Sequence, residues 1–198
     1  MTLRVGITGG IGSGKSTVCS IIETLGYPVY YADLEAKKIS ETDADVIAAI
    51  SELFGQDIYV SGKLDRKRLA LRVFNDKNLL VGLNSIIHPA VAKYFNEWAN
   101  RNSQNSIVFE EAAILFESGA NKLLDKSILV TAPIDVRIKR VVERDGVTKD
   151  DVKQRMANQF SEEKLMELVD FVIYNDGVSL LLPQVLDVIE KLKSKSND

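Results

Sequence analysis

The sequence has 198 residues, of which 45% are hydrophobic and 27% are charged, and its formal net charge is −3; this is the length and composition of one ordinary globular domain. The negative net charge provides no general basic surface that would attract nucleic acid. No apolar run approaches the length of a membrane span, which is about 20 residues. Cys19 is the single cysteine, which excludes an internal disulfide and a cysteine zinc cluster. We therefore expect a cytoplasmic protein without a signal peptide and without nucleic-acid or membrane partners.

The first predicted elements are a strand, a glycine-rich loop and a helix. Leu3–Thr8 is short and largely apolar, as a buried strand would be. Gly9–Thr17 follows with the sequence Gly-Gly-Ile-Gly-Ser-Gly-Lys-Ser-Thr, which fits the G-x-x-x-x-G-K-[ST] pattern of a phosphate-binding loop. Apolar residues at helical spacing come next, so the motif has the context it requires.

Each residue type in this loop has a task in binding a nucleotide. The glycines let the backbone approach phosphates without a Cβ in the way, and the following helix offers free N–H donors at its N-terminus. Lys15 is expected to reach the β- and γ-phosphates, and the Ser16 hydroxyl to ligate Mg²⁺. A plain turn between strand and helix would explain the glycines but not this Lys-Ser pair, so the pattern favours a nucleotide site.

A second strand, Tyr27–Asp33, ends in an acidic residue and is followed by a predicted helix from Leu34. Strand, helix and strand in this order favour a parallel α/β sheet whose ligands collect at the carboxyl ends of the strands. Asp33 is therefore expected at the same edge as the phosphate loop. It would be the N-cap of the next helix, a carboxylate aimed at an acceptor hydroxyl, or both.

The stretch Asp43–Trp98 has helical apolar spacing almost throughout, with a short extended or hairpin segment at Asp57–Lys63. The His88-Pro89 pair is predicted to interrupt it, because the residue before a proline is disfavoured in the α region. So many helices between two strands predict an inserted substrate-binding subdomain. His88 is the only histidine, and the residues alone leave a structural and a binding role equally open.

Several acidic residues stand at or after the third predicted strand. Glu110 and Glu111 end it and Glu117 follows in a loop, where phosphate-loop proteins commonly place an acid behind Mg²⁺. The tail Lys193–Asp198 is predicted to be disordered. The later predicted strands and the last helix are Ser106–Glu111, Ser127–Thr131, Phe171–Tyr174 and Leu180–Leu192.

Two charged helices are predicted between the fourth and fifth strands. The first, opened by Pro133, carries Arg137, Arg140 and Arg144 on one face, and Thr148–Asp151 opens the second with a capping box. A solvated surface is the default interpretation of such helices. In a phosphoryl-transfer enzyme the same arginines would close as a lid over the triphosphate.

Three classes of phosphate-loop protein compete. A regulatory GTPase would carry Asn-Lys-x-Asp after a late strand, whereas Asn121–Asp125 has one residue too many and precedes the strand. An ATP-driven motor or a binding module would usually be larger and have a clearer aspartate at the end of a strand; a nucleotide-dependent binding switch is the non-enzyme alternative. A compact chain with a helical insertion and an arginine-rich lid instead fits a small-molecule kinase.

Further segments of the sequence combine with the phosphate loop into one pattern: Thr8–Ser16, Ala32-Asp33, Leu64-Asp65-Arg66, Val73-Phe74, Leu83–Pro89, Leu115-Phe116-Glu117, Arg140, Arg144 with Asp145, Gln159 and Asn175-Asp176-Gly177. With these segments the sequence resembles the dephospho-coenzyme A kinase family over nearly its whole length. The His-Pro pair, the Arg-Asp start of the lid and the Leu-Phe-Glu segment are much more specific than the phosphate loop. One departure is Ala113-Ile114, where the family often has a proline.

The resemblance implies an α/β P-loop NTPase fold of three layers, with a five-stranded parallel sheet and the plan of the nucleoside monophosphate kinases. It divides the chain into a core (1–32, 104–136 and 168–198), a helical CoA-binding insertion (33–103) and a lid (137–167). The implied reaction is ATP-dependent phosphorylation of the ribose 3′-hydroxyl of dephospho-CoA, the last step of CoA biosynthesis. ATP with Mg²⁺ is the implied donor, and a monomer or small homo-oligomer the implied form; another small ATP kinase is the alternative.

Site residues follow from the same resemblance by position. Asp33 is the expected general base, and Lys15 and Arg140 are the other expected catalytic groups. His88 and Arg66, with Asp33, are expected to bind the acceptor. The expected ATP-binding residues, with Mg²⁺ on Ser16, are Gly10, Ile11, Gly12, Ser13, Gly14, Lys15, Ser16, Thr17, Arg140, Arg144 and Asn175.

Replacing Asp33 by asparagine tests its role as the base. We expect turnover to fall by about 10²- to 10⁴-fold, because the amide cannot accept the hydroxyl proton. The measurement is steady-state turnover, with circular dichroism to check the fold and Asp45→Asn as the matched control. Near-normal turnover in a folded Asp33→Asn variant would contradict the assignment.

Overall fold

The computed structural model describes residues 2–194, apart from the side chains of Phe74 and Asn75. The chain divides into two compact units, the first comprising the residues up to Tyr31 and from Ala99 onward, and the second Ala32–Trp98. In chain order the elements are β1 (Leu3–Thr8), α1 (Lys15–Thr24), β2 (Val29–Tyr31), α2 (Ala32–Thr42), α3 (Ala44–Phe54), β3 (Tyr59–Val60), β4 (Lys63–Leu64), α4 (Arg66–Asn75), α5 (Lys77–Arg101), β5 (Ile107–Glu111), β6 (Lys126–Thr131), α6 (Ile134–Asp145), α7 (Lys149–Met156), α8 (Glu162–Leu168), β7 (Phe171–Tyr174) and α9 (Leu181–Ser194).

The first unit is built on a five-stranded sheet in the order β2-β5-β1-β6-β7, and all of its strand pairs are parallel. The predicted parallel α/β sheet is therefore confirmed. β1 is the central strand, so the loop that follows it leaves from the middle of the carboxyl edge. Ile7 and Tyr31 both lie level with Glu111, which brings the ends of β1, β2 and β5 to that edge.

One face of this sheet packs against α1 and α9. Val5 and Ile7 of β1 are fully buried there with Ile22 of α1 and Ile189 of α9. Cys19 lies in the same core, and burial raises the pKa of its thiol. The helix that carries the phosphate loop at its N-terminus is thus fixed by apolar packing along its length.

The outer edge of the sheet ends at β7. The Tyr174 amide donates to Oε1 of Gln184 over 2.8 Å, and Nε2 of Gln184 donates to the Tyr174 carbonyl over 3.0 Å. A side chain of α9 therefore satisfies both main-chain groups of this edge residue.

The second unit has its own apolar core. It is formed by α2–α5 and by the β3–β4 hairpin, with Ile50 and Ile58 fully buried. Asp43 caps α3, because its carboxylate accepts from the amides of Asp45 at 3.0 Å and Val46 at 3.1 Å. The predicted hairpin segment is confirmed, with Gly62 between its strands.

The predicted interruption at His88-Pro89 is wrong. α5 is one helix of 25 residues with Pro89 inside it. A proline removes one intrahelical hydrogen bond and disfavours the α region for the preceding residue. The local preference is overridden because the apolar residues on both sides of Pro89 pack into the core of the second unit; these are Ile86, Ile87, Ala90 and Val91.

The second strand is shorter than predicted. β2 ends at Tyr31 and α2 begins at Ala32, so Asp33 lies inside the first turn of a helix instead of at the strand end or at the N-cap. An edge strand of three residues has few ladder bonds to extend it, and an acidic side chain is favourable in the first turn of a helix.

The structure also defines where the later helices begin and end, relative to the predictions. Pro133 is the N-cap of α6 instead of its first residue, while the capping box of Thr148 and Asp151 is confirmed. α9 continues to Ser194, so the predicted disorder of residues 193 and 194 is wrong, and residues 195–198 lie outside the described range. Across that range, no helix is both long enough and apolar enough to span a bilayer.

Because α9 packs onto the sheet, truncating two nearby apolar residues of this helix should lower the free energy of unfolding by very different amounts. Ile189 is 5% exposed and Leu186 is 45% exposed on the same helix. We expect Ile189→Ala to lower the free energy of unfolding by about 2–5 kcal/mol, because it leaves a cavity in the core. Leu186→Ala is the control and should change it by less than about 0.5 kcal/mol. Urea denaturation measures both, and equal losses would contradict this packing.

Candidate active site

The phosphate loop connects β1 to α1 through glycines that pass close to other main-chain and side-chain atoms. Gly14 is the N-cap of α1 with φ +91°, and no side chain of the described residues caps this helix. A Cβ on Gly14 would lie 2.0 Å from Nδ2 of Asn175, and one on Gly9 would lie 2.2 Å from the Val130 carbonyl oxygen. The helix N-terminus therefore stays open to an anion.

Lys15 is held at the carboxyl edge of the sheet. Its Nζ donates to the Gly9 carbonyl over 2.9 Å and lies 3.7 Å from Oε1 of Glu111. Both charged side chains are 12% exposed, so the pair is weakly screened by solvent. Ser16 and Thr17 follow in the first turn of α1 and are exposed.

Asn175 and Arg140 lie beside the loop on the other side. Nδ2 of Asn175 donates to the Ser13 carbonyl over 2.9 Å, and Nη2 of Arg140 donates to the Asn175 carbonyl over 3.1 Å. Nη1 of Arg140 is buried and has no acceptor among the described residues. It lies 3.9 Å from the place that a Cβ on Gly14 would take. A cationic donor without an acceptor is therefore positioned at the mouth of the loop, where an anion would satisfy it.

Arg144 has different surroundings. Its Nε donates to Asp145 over 2.7 Å, and Asp145 also accepts from Arg155 over 3.1 Å. The hydrogen bond from Arg144 lowers the pKa of Asp145, and the same bond raises the pKa of Arg144. This exposed cluster joins the end of α6 to α7, and the role of Arg144 beside a nucleotide stays a prediction.

The three acidic residues singled out near the third predicted strand have separate surroundings. Glu111 pairs with Lys15, whereas Oε1 of Glu117 accepts from the Phe160 amide over 2.7 Å. Glu110 is 1% exposed, burial raises its pKa to about 7, and its Oε2 has no partner among the described residues. Glu111 is thus the carboxylate that acts on the phosphate-loop lysine.

Two side chains that hold the loop were not predicted to do so. The Ile11 amide donates to Oε1 of Gln159 over 2.9 Å, and Nε of Arg137 donates to the Ile11 carbonyl over 3.1 Å. The sequence grouped Arg137 with arginines above a triphosphate, but the structure buries it against the loop. Gln159 entered only through the family resemblance, and Glu162, which pairs with Arg137, had no signal at all.

The expected acceptor residues belong to the second unit. His88 is half-buried in α5, and burial lowers its pKa. Arg66, at the start of α4, donates to the Lys37 carbonyl over 3.1 Å and to Glu41 over 2.9 Å. Asp33 lies in the first turn of α2. Their assigned roles stay predictions.

The sheet order, the phosphate loop after the central strand and the cations at its edge define an α/β P-loop NTPase fold of the kind found in small-molecule kinases. The sequence profile of the dephospho-CoA kinase family matches residues 3–180. The chain therefore belongs to the dephospho-CoA kinase family, which is a family of enzymes.

Individual relatives agree with this membership. The dephospho-CoA kinase of Bacteroides fragilis is 39% identical over 195 residues, which is 98% of this chain and 95% of that protein. A dephospho-CoA kinase structure from Campylobacter jejuni is 30% identical with a TM-score of 0.72, and each chain is covered completely. The structure of the Thermus thermophilus protein TT1252 is 34% identical with a TM-score of 0.86, covering 96% of this chain and 97% of that one.

Burial of Glu110 predicts a specific dependence of stability on pH. Its pKa is raised from 4.5 to about 7 in the folded protein, so the folded state binds the proton more tightly than the unfolded state. This contribution to stability is full below pH 4.5, falls as the pH rises, and is lost above about pH 7. Between pH 5 and pH 8 the change amounts to about 2 kcal/mol.

Glu110→Gln removes the titration while keeping the shape of the side chain. Urea denaturation at both pH values should show a smaller loss of stability between pH 5 and pH 8 in this variant than in the wild type. Glu163→Gln, a change at a carboxylate of the first turn of α8, is the control. Equal pH slopes in the wild type and Glu110→Gln would refute the prediction.

Proposed function

We propose that this chain transfers the γ-phosphoryl group of ATP to the ribose 3′-hydroxyl of dephospho-CoA and releases CoA and ADP. Family membership supports the substrate pair. The observation that carries the donor side is the open N-terminus of α1, with Lys15 on one side and the Arg140 donor without an acceptor on the other. These groups are the donors that a triphosphate requires.

The donor half of the proposal uses the phosphate loop and its neighbours. Main-chain amides between Gly10 and Thr17 would hold the phosphates, apart from the Ile11 amide, which donates to Gln159. Lys15 would leave the Gly9 carbonyl to reach the β- and γ-phosphates. Arg140 would donate through Nη1, neutralising charge on the transferred group. Arg144 and Asn175 complete the proposed nucleotide contacts, with Asn175 near the adenine.

The loop also fits Mg²⁺. The Ser16 hydroxyl is exposed in the first turn of α1, next to Lys15, and Mg²⁺ prefers oxygen ligands that include substrate phosphates and water. We assign Ser16 as the protein ligand. Held there by Ser16 and the phosphates, Mg²⁺ would supply positive charge against the negative charge that develops during phosphoryl transfer.

The acceptor half rests on Asp33 and the second unit. We assign Asp33 as the base that accepts the hydroxyl proton while the oxygen forms its bond to the γ-phosphorus and the bond to ADP breaks. Support comes from its place in the chain, two residues after the end of β2. His88 and Arg66 are assigned to the rest of dephospho-CoA.

The proposal also covers the division of the chain into parts, its oligomeric form and its location. Residues 33–103 form the CoA-binding insertion, 137–167 the lid, and 1–32, 104–136 and 168–198 the core. The working form is a monomer or small homo-oligomer in the cytoplasm without a nucleic-acid partner. The net charge of −3 supports the expected lack of a nucleic-acid partner.

A coupled assay of ADP release tests the function. ATP and Mg²⁺ are combined with dephospho-CoA, adenosine, AMP or shikimate as the acceptor. We expect stimulation by dephospho-CoA alone, and its loss in Lys15→Ala with every acceptor, because that variant lacks the charge that draws the γ-phosphate. Lys139→Ala, at an exposed lysine, is the matched control.

The other outcomes identify the competing functions. Stimulation by a different acceptor would indicate another small ATP kinase, and no stimulation by any acceptor, with ATP still bound, would indicate a nucleotide-dependent switch. Either result would overturn the proposal.

A further inference from the structure

The peptide groups of Ile11, at the tip of the phosphate loop, are held from two sides by distant side chains. Nε of Arg137 donates to the Ile11 carbonyl over 3.1 Å, and the Ile11 amide donates to Gln159 over 2.9 Å. These partners are 126 and 148 positions away in the chain. Both main-chain groups of one loop residue are therefore fixed by side chains from outside the motif.

The Arg137 guanidinium also lies directly against the loop backbone. A Cβ on Gly10 would be 1.8 Å from its Nη2, and one on Gly12 would be 2.5 Å from the Arg137 carbonyl oxygen. Arg137 is 9% exposed. The backbone at Gly10 thus lies against the buried cationic side chain of Arg137, and the backbone at Gly12 lies against the main chain of the same residue.

Arg137 is in turn oriented by Glu162. Nη1 of Arg137 lies 3.2 Å from Oε2 of Glu162, and the hydroxyl of Thr131 donates to the other oxygen of that carboxylate. Thr131 ends β6, the neighbour of β1 in the sheet. A continuous chain of hydrogen bonds therefore runs from the sheet through Glu162 and Arg137 to the tip of the loop.

We propose that Arg137 is a positioning residue for phosphoryl transfer, and that Glu162 acts by orienting Arg137. Arg137 fixes the segment from Gly10 to Gly12 so that the loop amides that follow this segment meet the phosphates of ATP at the correct distance. It acts through Ile11 and does not touch the nucleotide. The inference depends on one part of the proposed function, which is that the phosphate loop binds ATP.

A purely structural ion pair is the competing explanation. It would contribute to folding and leave ATP binding by the folded enzyme unchanged. A positioning residue instead changes the interaction with ATP in a protein that remains folded, and it spares the interaction with the acceptor. Separate kinetic constants for the two substrates distinguish these explanations.

Arg137→Gln is the first test. We expect kcat/KM for ATP to fall by about 10- to 100-fold, since small misplacements of a positioned group have effects of this size. KM for dephospho-CoA should stay unchanged. Lys139→Gln, at an exposed lysine two residues along the same helix, is the matched control and should behave as the wild type. Arg137→Lys should recover part of the loss, because it restores the charge without the two-pronged geometry of the guanidinium.

Glu162→Gln keeps the proposal testable if the Arg137→Gln variant does not fold. Its side chain is 32% exposed, and the amide can still accept from Thr131. We expect a smaller loss in the same direction, and little further loss when Glu162→Gln is added to Arg137→Gln. If the losses of kcat/KM for ATP in the two single variants simply add in the double variant, the proposal that Glu162 acts through Arg137 is overturned.

Binding of a fluorescent ATP analogue without acceptor separates this proposal from the identity of the acceptor. Weaker binding to folded Arg137→Gln and Glu162→Gln than to wild type supports positioning even if dephospho-CoA is not the acceptor. If folded Arg137→Gln keeps both analogue affinity and kcat/KM for ATP within about twofold of wild type, the variation expected of an uncoupled site, the proposal is overturned.

Discussion

Close packing around the phosphate loop is the constraint on which the rest of the first unit depends. The loop passes Val130, Arg137 and Asn175 at distances that leave no room for a Cβ on Gly9, Gly10 or Gly14. Because its surroundings determine its path, the loop holds its amides in place before a nucleotide arrives. Pre-arranged donors of this kind need little rearrangement during the reaction, which is the main source of electrostatic catalysis.

The cations around the loop fall into two kinds. Lys15 has Glu111 beside it, and Arg137 has Glu162, so each buried charge is compensated. Arg140 differs, since one of its buried donors has no acceptor among the described residues. The compensated charges support the loop, and the uncompensated donor is the natural one to meet a phosphate. The arrangement assigns different tasks to arginines that lie only one helical turn apart on α6.

The sequence predicted the parts of the fold that depend on local pattern. The apolar strands, the phosphate loop and the capping box at Thr148 follow from neighbouring residues and appear where expected. The interruption expected at Pro89 does not appear, because core packing on both sides of this residue outweighs its local preference. The bonds to Ile11 from Arg137 and Gln159 span more than a hundred positions and depend on the order of strands in the sheet. No spacing in the sequence encodes them.

The side chain of Gln184 has a consequence for association between molecules. An outermost strand normally presents main-chain donors and acceptors that another chain can extend into a larger sheet. At Tyr174 both groups are already occupied by the Gln184 amide, which imitates the next strand. This end of β7 is therefore blocked as a template for intermolecular sheet growth, although Tyr174 itself is an exposed aromatic residue. A single glutamine thus closes the Tyr174 position of this edge to pairing with a strand of another molecule.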